Sequence, residues 1–171
     1  MTAAVITYSN IYSQPSINIF SILDTRTNVV DPKDASGARK FVYDSDPFQK
    51  AFDFSGIPYI ICADANIDFP ANKGADGKKQ YLTWSQRVVV RTVKDGSSGS
   101  RTDAGITDMR AIVDDIVQSF NDATIKTTLR IYEMYNVDCA ITNVDSTVVD
   151  QKVIYETTIE ITYSTRLAVT A

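Results

Sequence analysis

The sequence predicts an α+β domain, an antiparallel sheet of about four long strands with helices packed on one face. Three observations predict it. From Val153 to Val169 the odd positions read Val, Tyr, Thr, Ile, Ile, Tyr, Thr, Leu, Val, and the even positions are polar except Ile154 and Ala168. A period of two is the mark of a strand with one buried and one wet face. Over 102–120, Ile106, Met109, Ile112, Val113, Ile116 and Phe120 recur at helical spacing and form one apolar face. Two further strand-like runs, 57–69 and 80–93, are separated by a polar stretch and read as a long-looped hairpin.

Taken along the chain, the predicted order is β-α-β-β-α-α-β-β. After a first strand, a helix starts at Ser13 or Gln14, where Pro15 fits the first turn. It turns Ile17, Phe20 and Leu23 inward and frays near Thr25–Thr27. Residues 39–48 have no regular period and set Phe41, Tyr43 and Phe48 between charges, as an arm laid on a neighbouring subunit would. Residues 1 to about 55 are therefore expected to supply a helix and an arm that contact neighbours. Polar stretches at 31–39, 70–79 and 94–101 read as exposed loops. They exceed the usual connection of about 4–6 residues, which points to partner contact. Their cations, Lys73, Lys78, Lys79, Lys94 and Arg101, are either a basic interaction patch or solvated charge. If the flanking strands pair as a hairpin, the two loops lie at opposite ends.

The helix over 102–120 has Asp103 as candidate cap and turns Asp108, Asp114, Asp115 and Gln118 to water. Residues 122–135 follow as a second helix with Ile125, Leu129, Tyr132 and Met134 inward, although 127–131 could extend as a strand. A strand over 137–149 meets the last one near Val149–Gln151, or at a bulged turn around Asp145–Ser146. The last strand far exceeds the usual ~5–6 residues, and a strand that long leaves its own core and meets something else. No repeat or linker divides the chain, so residues 1–171 read as one domain.

Composition narrows the chemistry. Lys plus Arg is 17, Asp plus Glu is 21, and the formal charge is −4. There is no histidine, so no Ser–His–Asp, Cys–His or HExxH site can be built. Cys62 and Cys139 are far apart, lie among apolar residues and form no CxxC pair, so they read as reduced core thiols. The pairs Asp44/Asp46, Asp64/Asp68 and Asp114/Asp115 could in principle serve acid–base or Mg²⁺ chemistry. Asp64 and Asp68, four apart, would share a strand face. No second group can be placed beside any pair, and solvated surface or cap is the plainer reading. Gly74–Lys79 lacks the GxxxxGK[ST] spacing and Gly96–Ser100 reads as a flexible loop. No catalytic residue, metal or cofactor is expected.

A pI near 4.8 argues against a tight nucleic-acid surface. The aromatics of the N-terminal third have few cations among them, which fits core packing and a protein-facing patch better than base stacking. No run approaches the ~18–20 apolar residues of a membrane span, and the N-terminus lacks a signal-peptide pattern, so synthesis in a cytoplasm is the expectation.

The order helix 102–120, helix 122–135, strand 137–149 and strand 151–167 is similar to that of the tail terminator (tail completion) proteins of long-tailed bacteriophages. The likeness is architectural and carries no signature motif, so no individual residue's role transfers. It implies a virion structural protein, with the subunit forming a hexameric ring on the last ring of the tail tube. Its partners would be its own copies, the tail tube protein and a head completion or connector protein, with DNA passing through unbound. A head–tail connector or tube protein is a second reading within that class. From another class, a non-catalytic adhesin or carbohydrate-binding module would present aromatics such as Trp84 on an exposed face. An Asp-based, Mg²⁺-dependent enzyme would need Asp64 and Asp68.

Overall fold

In the computed structural model, residues 3–26, 42–43, 59–68, 79–94, 104–149 and 151–168 are described. The elements are α1 (Gln14–Arg26), β1 (Val42–Tyr43), β2 (Tyr59–Asp68), β3 (Lys79–Val93), α2 (Ala104–Asn121), α3 (Ala123–Ile131), β4 (Met134–Val149) and β5 (Lys152–Ala168). One sheet has the order β1-β2-β3-β5-β4. Its four long strands pair antiparallel, and the two-residue β1 adds parallel to β2. The α+β class and the long-looped β2–β3 hairpin are as the sequence predicts.

Period two decides which face is covered. Leu82, Trp84, Gln86, Val88 and Val90 of β3 lie opposite Thr165, Tyr163, Ile161, Ile159 and Thr157 of β5, and all ten are buried. The helices supply the other half of this layer through Ile19, Ile22 and Leu23 of α1, Met109, Ile112, Val113, Ile116 and Phe120 of α2, and Ile125 and Leu129 of α3. Thr92 Oγ1 donates to the Gly105 carbonyl at 2.7 Å and ties the start of α2 to the end of β3. The reverse face is polar along its middle. Ser85 bonds Glu160, the Arg91 guanidinium pairs with the Glu156 carboxylate, and Arg166 lies 5.8 Å over the Tyr81 ring. Towards one end that face is buried as well, at Ile61, Val89 and Ile154.

The first element departs from expectation. Residues 3–7 are irregular and 8–13 form turns, with no strand, and Ile6 N–H donates to the Tyr132 carbonyl. The buried stripe of α1 is also rotated. Ile17 and Phe20 are half-buried, whereas Asn18, Ile19, Ile22 and Leu23 are buried. The cause is a satisfied polar residue on the inner face. Asn18 accepts from Ala4 N–H and from Gln14 Nε2, and donates to the Ala4 carbonyl, all at 2.9 Å. An amide bonded in this way can be buried.

The second helix of the C-terminal half ends earlier than predicted, at Ile131. Tyr132 caps it and Glu133 follows at φ 65°, a left-handed residue that closes the helix. Glycine usually holds that position, and a glutamate there hides the stop. Met134, expected inside a helix, is the first residue of β4 and is buried there. At the other end Asp122 accepts from the N–H groups of Thr124 (2.6 Å) and Ile125 (3.3 Å). Asp122→Ala is expected to cost about 1 kcal/mol, a fall of roughly 2–4 °C in Tm by calorimetry.

Candidate functional site: an open strand edge and the groove beside it

The site lies on the outer half of β4. At about 3.4 Å per residue the 17 residues of β5 span about 55 Å. A compact domain of this size is only about 40 Å across. β5 nevertheless keeps Thr157, Ile159, Ile161, Tyr163, Thr165 and Leu167 buried along this length, whereas the outer half of its neighbour β4 lies beyond the cover of the helices. Val149 pairs with Lys152, and Gln151 between them takes φ 66° to close the turn where the sequence placed it.

β4 is the edge strand. Its apolar residues Val137, Ile141, Val144 and Val148 recur at spacings of four and three, a helical rhythm that a flat strand cannot put on one face. Two register shifts solve this, between Tyr135 and Asp138 and between Ile141 and Asn143. Asn136 supplies φ 52° at the first. As a result Ile141, Val144 and Val148 stand opposite Ile159, Thr157 and Val153, on the helix side of the sheet. They remain 52%, 73% and 69% exposed. Ala140 to Val148 are all exposed.

Between this half-strand and α2 runs a groove of about 550 Å³. Ile106, Met109 and Val113 line its helix wall, and Ile141, Val144 and Tyr155 its sheet wall. Arg110, Asp114, Asp145 and Glu156 also contribute to its lining. The outer β4 edge carries a single charge from Ala140 to Val149, at Asp145. Natural edges are commonly protected by lysine, proline or brevity. From Ala140 to Val149 it has none of these, and beyond the register shift at Ile141–Asn143 its pairing with β5 is regular, so that stretch can accept another strand while the groove takes that strand's apolar side chains.

A second, smaller hollow of about 390 Å³ lies among Val5–Tyr8, Glu133, Tyr135, Arg166 and Leu167. Tyr135 Oη donates to Glu133 Oε2 at 2.8 Å, and that bond with the adjacent carboxylate raises the phenol's pKa.

The sequence-predicted contacts are placed as follows. Lys79 opens β3 and Lys94 follows its far end, roughly 50 Å away along the strand, so these two do not form one patch. Lys94 is exposed, and its N–H donates to the Val153 carbonyl at 2.8 Å, near the hairpin tip. The Tyr43 backbone pairs opposite Ile61 within the chain's own sheet. Phe41, Phe48, Lys73, Lys78 and Arg101 lie outside the described residues, as do Asp44, Asp46, Asp103 and residues 74–78 and 96–100 of the Gly-rich stretches. Asp64 falls within a register shift of the β2–β3 pairing, between Cys62 and Ala65, and Asp68 pairs opposite Thr83. Asp114 is exposed and Asp115 half-buried. Among the described residues no group of three or more His, Cys, Asp or Glu could hold a metal ion, and no helix is long and apolar enough to cross a membrane.

Trp84 is fully buried, and the exposed aromatics among the described residues are Tyr8, Tyr12 and Tyr81. Neither cysteine is in a disulfide. Cys62 on β2 and Cys139 on β4 are separated by β3 and β5, about 14 Å in all, beyond the ~7 Å limit for a bridge. Burial, and then the neighbouring Asp138 charge, push the Cys139 thiol up to about 11. A pKa raised above the unfolded value of 9.0 contributes stability below pH 9 that is lost as pH rises from 9 through 11. Alkylation of Cys139 at pH 8 is expected to run about a hundredfold slower than that of an exposed cysteine, as read by mass spectrometry.

No protein-family model matches the chain, and comparison with curated proteins finds no significant match.

Proposed function

We propose that this chain is a virion structural subunit that assembles with copies of itself into a ring, a hexamer, at the head–tail junction of a long-tailed bacteriophage. In that place it caps the tail tube, joins it to the head completion or connector protein, and lets DNA pass without binding it. The observation that carries the reading is the β4 edge, which leaves Ile141, Val144 and Val148 in water beside an apolar groove. An isolated protein gains nothing from such a surface, whereas an assembling subunit buries it. The formal charge of −4 agrees with a lumen that repels phosphate at short range.

Negative-stain electron microscopy of the purified protein, alone and with tail tubes, tests this. Closed rings that seat on tube ends are expected. Dispersed single subunits that leave tubes uncapped would sink the proposal.

A further inference from the structure

The core contains a polar patch that the assembly reading does not use. Trp84 Nε1, Tyr163 Oη and Thr165 Oγ1 are buried and have no hydrogen-bond partner among the described residues. Their residues are 0%, 1% and 0% exposed. The sheet register places them together. Trp84 stands directly opposite Tyr163, with ring centroids 6.0 Å apart and planes 8° from parallel. Thr165 is two residues further along β5 on the same face, between Leu82 and Met134 on the flanking strands.

The first turns of α1 cross this patch. Ser16 Oγ bonds Gln86 Oε1 on β3 at 2.8 Å, and Asn18 Nδ2 reaches Met134 Sδ on β4 at 3.6 Å. The line joining those contacts passes over β5 near Tyr163. Gln14, Asn18 and Gln86 are themselves buried, so this seam is polar on both sides.

Buried polar groups in folded proteins find partners, because each one left alone forfeits hydration without return. The three orphans have complementary chemistry. The indole N–H only donates, and each hydroxyl can donate and accept. A water molecule can accept from the indole and the phenol and donate to the threonine, and interior waters typically make about three such bonds. We propose that the seam between α1 and the β3–β5 pair binds ordered water, enclosed in the core and held by Trp84, Tyr163 and Thr165. This hydration site is independent of the assembly reading. It accounts for three polar groups in a layer where Phe, Leu or Val would otherwise pack.

Two measurements test it. A high-resolution crystal structure of the full chain is expected to show a density peak within hydrogen-bond distance of at least two of the three atoms. Thr165→Val keeps the side-chain shape and removes the hydroxyl. If that hydroxyl holds water, the variant is expected to melt about 2–4 °C lower. If the hydroxyl is merely unpaired, its removal leaves the melting temperature unchanged or raises it. Empty density between the three atoms, or a Thr165→Val variant that melts at or above the parent, overturns the proposal.

Discussion

Trp84→Ala is expected to cost about 3–5 kcal/mol, the range for deleting a large aromatic from a packed core. The indole is completely buried at the middle of β3, stacked on Tyr163 and enclosed by the helix layer. Alanine leaves a cavity and strips one face of the tyrosine ring. Small domains are stable by only about 5–15 kcal/mol, so the variant should stand near the edge of folding at physiological temperature. Denaturant unfolding followed by circular dichroism measures the loss. A variant within about 1 kcal/mol of the parent would mean that the helix layer does not enclose Trp84. The same burial gives Tyr163 a phenol pKa well above the usual value. A phenol that ionises more readily when unfolded contributes stability below its unfolded pKa and loses it above, so the fold should weaken as pH climbs past about 10.

The second large effect is on association. Val144→Lys combined with Val148→Lys puts two ammonium groups on the open half of β4. Both valines are mostly exposed in the single chain, so its stability should change by less than about 0.5 kcal/mol per site. Burial of each valine against a neighbour contributes about 1.5–3 kcal/mol. Losing both is expected to weaken self-association by at least about a hundredfold, and edge lysines also oppose strand pairing. Sedimentation of the double variant beside the parent reads this directly. Unaltered association would move the interface away from β4.

Much of the sheet is legible in the amino-acid sequence. The alternation in β5 survives because this central strand has one buried face over most of its length, and period two follows directly from that. α2 is legible for the same reason at period 3.6. The misreadings occur where the backbone departs from either period. Glu133 ends α3 in a left-handed conformation that its side chain does not advertise. Asn18 rotates the buried stripe of α1 because its hydrogen bonds are supplied by Ala4 and Gln14, one of them fourteen residues away. The candidate site is the least visible part. Ile141, Val144 and Val148 read as ordinary strand residues, and only the register shift between Ile141 and Asn143 gathers them on one face. Their exposure depends on how far the helix layer reaches across the sheet towards the β4 edge, a tertiary fact that one strand's sequence does not carry. The length of β5 predicts a strand that leaves its own core, and this expectation fails: Thr157, Ile159, Ile161, Tyr163, Thr165 and Leu167 are buried along it, and the exposed residues stand on its neighbour β4.

Sedimentation velocity of the purified parent protein over a wide concentration range tests most directly whether the β4 edge is built for other copies. A discrete species of about six times the 18.9 kDa chain, dissociating with the lysine pair, is the predicted result. A single 18.9 kDa species at every concentration would contradict it.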